Sequence, residues 1–487
     1  MLARHTIMYF LARGIPGLIN FSALYIYTRL LLPEEYGIYA LVLIVAKMAG
    51  IISFQWLRLG AFRFYSNYIE EHMEQFLSTI LVSYVVLMSF VSLIYGVAFI
   101  VGSQFMEAGF IWIIGLMFMF VTNWFEMNLS ILRAQLAPVT FGILSMARAV
   151  ISLIVGVVLV LYGFSAYGLL IGLFVGNVLP ILFVHKKQWG RVRLRKVNVT
   201  LVKELLQYGL PLTATFAMAM VIYGMDRLML GWMIGEKEVG LYAVPYDFIQ
   251  QTLLVIISVI VSASSPIIIR KFESSSLEST YDQMKKTFEL LLIIAVPSSL
   301  GIVLLAPNIS SVFFGEAYQN AAALLIPWIV PAVLLNGMKE SYFDLPFTLS
   351  KRTRLQVWPV VLGAFLNLIL NYFFIPVAGA KGAAIASLLS YGSAMTVSVL
   401  LGRTVFRLPI PWARSGRVMT ASLFMVFCLL PVLTLEGVLG LAVQVMVGFI
   451  AFGFAGLVLN VGRGRTKMSR LFKARDTDNS PPINKRA

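Results

Sequence analysis

Runs of about 20 mostly apolar residues, the length a helix needs to cross a hydrocarbon core, recur along the whole chain, parted by short charged or turn-forming clusters. Six lie near 6–32, 36–57, 77–101, 108–131, 140–162 and 165–184, and the most basic loop of the chain follows. Six more lie near 205–232, 240–269, 287–307, 321–347, 355–376 and 381–402, with a last pair near 418–436 and 438–460. The pattern predicts an all-α polytopic membrane protein of about fourteen transmembrane helices, arranged as two parallel six-helix lobes plus a C-terminal pair. The expected organisation is an N-lobe over 1–184, a basic cytoplasmic inter-lobe loop over 185–204, a C-lobe over 205–402, spans thirteen and fourteen over 403–461, and a basic tail over 462–487 that becomes disordered. The first run, Ile7 to Leu32, is too long for the apolar region of a cleaved signal and lacks a small-residue cleavage site before Pro33, so it is expected to remain as a span.

Composition agrees: 59% of the 487 residues are hydrophobic and 12% charged, with a mean hydropathy of +0.87, a balance that excludes a soluble domain. When the loops are assigned to alternate sides, thirty of the 38 Lys and Arg fall on the side holding both termini, two fall opposite, and six lie inside spans. The positive-inside rule therefore predicts that both termini are cytoplasmic. The net charge of +16 reads as a topology signal and an attraction to anionic lipid rather than to nucleic acid. The outer loops are short and their carboxylates scattered, which disfavours an outer-face glycosyltransferase or ligase. One Cys and three His supply no zinc or haem spacing, and no phosphate-binding Gly-rich Lys motif is present. No cofactor is expected beyond a coupling ion, Na+ or H+.

Two stretches of the first series recur in the second. Glu35-Tyr-Gly37-Ile-Tyr39-Ala40, which follows Arg29, resembles Glu238-Val-Gly240-Leu-Tyr242-Ala243, which follows Arg227. Ala166-Tyr-Gly168 likewise resembles Ala380-Lys-Gly382. Units with an even number of spans insert the same way round, so a duplication here predicts parallel repeats with a substrate path between lobes.

The stretch from Arg29 through Pro33-Glu-Glu-Tyr-Gly37-Ile-Tyr39 resembles the polysaccharide flippases of the multidrug/oligosaccharidyl-lipid/polysaccharide exporter superfamily. Three further stretches agree, in the family's order: Tyr208-Gly-Leu-Pro211 through Asp226-Arg-Leu to Tyr242; Gly315-Glu-Ala-Tyr318; and Asn367 through Asn371 and Pro376 to Gly382. The resemblance implies alternating access between two lobes, and movement of an undecaprenyl-diphosphate-linked oligosaccharide (an O-antigen, capsule or exopolysaccharide repeat unit) to the outer leaflet. It also implies working partners among polysaccharide polymerases and glycosyltransferases. A lipid II flippase, a cation-coupled drug antiporter and a membrane-embedded glycan-processing enzyme are the rival readings.

Charges inside spans are costly and normally face a cavity or a partner. Arg13, Lys47 and Arg148 are three such cations in the first lobe, and they suit a diphosphate entering from the cytoplasmic leaflet. Asn20, Asn123, Glu126 and Lys339 are the polar residues expected to line the cavity. Two readings stand for Arg13, phosphate contact or snorkelling to headgroups, and two for Arg148, substrate contact or pairing with Glu126. Asp247, Glu340 and Asp344 are the candidates for ion coupling, against the alternative that Lys339 and the neighbouring carboxylates neutralise one another or gate the inner mouth. Asp226 is read as an interfacial partner of Arg227.

Overall fold

The computed structural model describes residues 2–68, 72–102, 109–190, 192–193, 196–274 and 276–463. Among them the backbone is almost entirely helical and contains no strand. A chain crossing lipid must satisfy its amides internally, and the helix does so within each segment. The helices are α1 (Leu2–Leu30), α2 (Pro33–Phe64), α3 (Met73–Gly102), α4 (Gly109–Ala134), α5 (Pro138–Leu159), α6 (Ser165–Trp189), α7 (Val199–Met233) and α8 (Glu236–Ile249). They continue as α9 (Val255–Ser274), α10 (Leu277–Leu304), α11 (Ala306–Phe313), α12 (Glu316–Met338), α13 (Leu345–Leu349), α14 (Val357–Val405), α15 (Trp412–Leu429) and α16 (Gly437–Val458).

Eleven helical stretches among the described residues are long and apolar enough to cross a membrane. Two are too long for one crossing. The 46 residues of Pro138–Phe183 and the 53 of Thr353–Val405 would extend about 70 and about 80 Å as straight helices, over twice the thickness of the core. The first leaves helical geometry at Gly163 (φ +87°) and Ser165 (φ +48°), and the second at Gly379 (φ +55°). Counting each as a pair, and adding the 29-residue α1, yields the fourteen crossings that the apolar pattern predicts. Their ends differ from the sequence reading. Helix α2 runs on to Phe64, so Arg58 and Arg63, expected in a loop, are helical.

The described residues pack as two units. One comprises Met1–Phe248, Phe314–Tyr318 and Gly363–Ser387, and the other Ile249–Phe313, Gln319–Leu362 and Leu388–Ala487. In the first unit α2 runs antiparallel to α7 at close range, with Gly60 against Leu205 and Gly209 against the backbone of Trp56. Leu57, Ala61, Phe76, Ile80, Leu201 and Leu205 form a fully buried core beside them. The basic connector after α6 is docked rather than loose. Trp189 donates to Asn128 Oδ1 (2.8 Å), the Arg193 backbone N–H donates to Ser78 Oγ (2.9 Å), and Lys196 pairs with Glu74 (2.8 Å).

The internal repeat has a structural counterpart in this unit. The helix starts of α2 and α8 meet at Gly37 and Gly240. A Cβ on Gly37 would lie 1.8 Å from the Glu236 carbonyl oxygen, and one on Gly240 would lie 1.9 Å from that of Pro33. The flanking carboxylates act alike. Glu35 accepts from Ser165 Oγ (2.6 Å) at the α5–α6 turn, and Glu238 accepts from the Ala380 N–H (3.0 Å) at the turn within α14. Two segments that match in sequence therefore make reciprocal contacts.

In the second unit the last helix pair is fastened by buried polar side chains. Asn308 on α11 donates to Gln444 Oε1 on α16 (2.9 Å) and accepts from the Gly437 N–H (3.0 Å), and Glu289 on α10 pairs with Arg414 on α15 (3.1 Å). The tail from residue 464, expected to be disordered, lies outside the described residues.

Candidate functional site

The charges of the first unit converge on one region. Lys47 sits more than about 20 Å along α2 from either helix end, beyond what a lysine can bridge by snorkelling. Its side chain is exposed, and it forms no ion pair among the described residues. Arg148 of α5, Arg227 of α7 and Asp247 of α8 lie within electrostatic reach of its ammonium group. Tyr39, about two turns nearer the start of α2, is within reach of Arg148, Arg227 and Asp247 as well, and of Tyr27 on α1.

Glu126 on α4 is shared by two arginines. Arg148 Nη1 lies 3.2 Å from Oε1, and Arg58 Nη1 lies 3.5 Å from Oε2. The Arg148 guanidinium also rests over the Phe125 ring (5.0 Å), and Arg58 donates to Gln55 Oε1. The pairing reading of Arg148 is therefore the one seen, and it leaves a net positive charge because one carboxylate faces two guanidiniums. Arg58 was missed by the sequence reading because the apolar run stops at Leu57. The signal was available, since residues 47 and 58 are eleven positions apart and so lie about 20° apart around a helix.

These side chains are between about a quarter and a third exposed (24%, 29% and 32% for Arg58, Arg148 and Glu126), so solvent weakens the pairing. Glu126→Gln is expected to shift stability by no more than about 1 kcal/mol, read as the thermal midpoint of the purified protein. A loss of several kcal/mol would mark the triad as a structural bridge instead.

The other expected residues are distributed as follows. Arg13 lies on α1, but its side chain is outside the described residues. Asn20 is exposed on the same helix. Asn123 is half-buried where α4 crosses α2, its amide against Gly50 and donating to the Met119 carbonyl (2.8 Å). Asp247 is engaged by Arg227, whose guanidinium also faces the Tyr246 ring at 5.6 Å.

Asp226 is not the partner of Arg227. It is buried at 1% exposure and accepts four hydrogen bonds, from Tyr242 (2.7 Å), Asn367 (2.9 Å), Asn371 (2.6 Å) and Ser387. Successive helix residues point about 100° apart, so neighbours in sequence serve different helices.

In the second unit Lys339, expected to line a cavity, is instead buried and paired with Asp344 at 2.9 Å, each side chain 4% exposed. Asp344 also accepts from Gln356 (3.1 Å) and Ser398. The π-turn over Lys339–Phe343 turns Lys339 inward and leaves Glu340 exposed, where it accepts from Asn336 (3.3 Å). Mutual neutralisation thus holds for Lys339 and Asp344 and does not extend to Glu340. No group of three metal-ligating side chains occurs among the described residues.

Comparison with known proteins places this architecture. The fold resembles that of a lipid II flippase MurJ in an inward closed conformation, with a TM-score of 0.73 at 13% identity over 93% of this chain and 99% of that one. It also resembles an inward-facing multidrug resistance MATE family transporter of the MOP superfamily, with a TM-score of 0.55 at 16% identity over 85% and 99%. In sequence, lipid II flippase MurJ of Bacillus subtilis (strain 168) is 21% identical over 284 residues, 53% of this chain and 50% of that protein. The chain thus spans about half the length of the curated relative it matches. The family described as "Polysaccharide biosynthesis protein" matches residues 26–323, well over half of the 487. The chain is a multi-pass membrane protein that belongs to this polysaccharide biosynthesis family.

Proposed function

We propose that the protein is a flippase that moves an undecaprenyl-diphosphate-linked oligosaccharide from the cytoplasmic to the outer leaflet by alternating access. The observation that carries this reading is the cationic excess of the first unit. Lys47 is exposed at mid-helix without an ion-pair partner among the described residues, and Arg58 and Arg148 share a single carboxylate. A diphosphate supplies the charge that such a site lacks, with guanidiniums binding its oxygens bidentately and Lys47 acting as a point charge. Arg13 belongs to the same proposal by its place on α1, with Asn20 and Asn123 as polar neighbours. An amphipathic cationic drug would be repelled there, which argues against the antiporter. Family membership supports a substrate from polysaccharide assembly. A polymerase and glycosyltransferases as partners and an inner-membrane location belong to the same proposal, and the crowding of Lys and Arg into alternate loops supports cytoplasmic termini.

Any ion coupling is assigned to Asp247 or Glu340, with Na+ or H+ as the ion, since both carboxylates retain exposure. Asp344 is already saturated by Lys339, Gln356 and Ser398. The protein carries out no bond-making step in this reading.

The test is export of lipid-linked oligosaccharide in cells lacking their own flippase. The parent chain is expected to restore export, and Lys47→Ala and Arg148→Ala to reduce it roughly tenfold or more at equal membrane abundance. Export by both variants at the parental rate would remove the cationic site from the mechanism. A lipid II flippase is the second reading, favoured by the match to MurJ in both sequence and fold. Rescue of cells depleted of their lipid II flippase, without rescue of polysaccharide export, would select it.

A further inference from the structure

The second unit contains a cavity of about 410 Å3 at the end of α14, and none of its lining residues is a charge used above. Its basic groups are Arg403 and Arg407, its apolar walls include Phe343, Phe406 and Ile410, and no carboxylate lines it. Both arginines are exposed and form no ion pair or hydrogen bond among the described residues. The walls are anchored. Phe406 packs edge-on to Phe272 of α9 (5.8 Å) and tilted against Tyr281 of α10 (5.5 Å), and the Pro409 carbonyl accepts from Tyr342 Oη (2.9 Å). The Thr404 hydroxyl already donates to the Leu401 carbonyl (2.7 Å), so donors for a ligand come from the two guanidiniums.

We propose that this cavity binds the phosphate of an anionic phospholipid headgroup. The loop 406–411 joins two membrane-crossing helices, and Trp412, 74% exposed, opens the second, so the cavity opens at the membrane boundary where headgroups lie. Paired guanidiniums recognise a phosphate bidentately, and the adjoining apolar walls match the ester and upper acyl region of a lipid better than a free anion. The negative end of the α14 dipole opposes an anion with about half a charge, which two full positive charges outweigh. The opposed requirements of a basic and an apolar wall at one depth are met by an anionic lipid and by neither water nor a zwitterion of balanced charge. This site is independent of the identity of the translocated substrate.

The experiment uses the full chain in detergent with a photoactivatable phosphatidylglycerol and maps the labelled peptides by mass spectrometry. Label is expected on peptides spanning 399–410, displaced by unlabelled phosphatidylglycerol and not by phosphatidylcholine. Combining Arg403→Gln with Arg407→Gln is expected to weaken labelling by about tenfold for each arginine lost, and the double Lys variant to retain part of it. Because neither arginine holds another residue, both variants should elute and melt as the parent does, and if the Gln pair does not, the Lys pair carries the comparison. Labelling unchanged in the Gln pair, or equal displacement by phosphatidylcholine, overturns the proposal. Displacement by millimolar glycerol phosphate as effective as by the lipid overturns the lipid source in favour of a soluble phosphate. Since binding rather than export is read, failure here leaves the flippase test unaffected.

Discussion

Asp226→Ala is expected to leave little or no folded protein in the membrane. The carboxylate accepts from four side chains on α8 and on both halves of α14, so its two oxygens are fully used. Alanine would leave the Tyr242 phenol, the Ser387 hydroxyl and the Asn367 amide without their acceptor in a site 1% exposed, and would leave the Asn371 amide only Asn367 Oδ1 (3.0 Å). Removing one partner of a buried charged network costs about 3–5 kcal/mol, a large share of the whole stability of a typical fold. Asp226→Asn keeps the shape but replaces one acceptor oxygen by a donor that faces other donors, so an intermediate loss is expected. Folded yield after detergent extraction, together with thermal midpoints, tests this. A fully stable Asp226→Ala protein would mean that the four donors find other acceptors.

Gly240→Val is expected to be of similar severity, with Gly37→Ala close behind. A Cβ at either position meets a carbonyl oxygen at under 2 Å, and a backbone carbonyl cannot rotate aside as a flexible side chain can. Relief requires α2 and α8 to part by more than about 1 Å, which strips contacts from both helix starts and disturbs Glu35 and Glu238 at their turns. Gly96→Ala and Gly453→Ala are the controls, since nothing lies within 4 Å of a Cβ there and alanine is the better helix former by about 1 kcal/mol. The predicted order of monodisperse yield is the two controls at or above the parent, then Gly37→Ala, then Gly240→Val. Equal yields throughout would show that the two helix starts are not held at this spacing.

The repeat was legible as similar words 203 residues apart, yet nothing in those words says that they touch each other. Gly37 against Gly240 is a contact between copies, found only once both copies are placed. Lys47 was legible as costly because a cation far from either helix end cannot reach headgroups. Arg58 was not, because a boundary drawn at the last apolar residue put it in a loop, although helical spacing from Lys47 pointed to it.

Carboxylates were the hardest to assign. Asp226 beside Arg227 reads as a pair along the chain, but helix geometry turns them apart, and the partners of Asp226 on α14 stand 141 to 161 residues away. Lys339 and Glu340 are likewise adjacent, and a π-turn buries one while exposing the other. What the sequence determined by itself was the class, the number of crossings and the presence of charges in spans, because a bilayer imposes one length and one polarity on every segment that enters it. What the tertiary structure alone decided was which charge meets which, because side-chain direction rotates by about 100° per residue and partners arrive from helices far along the chain.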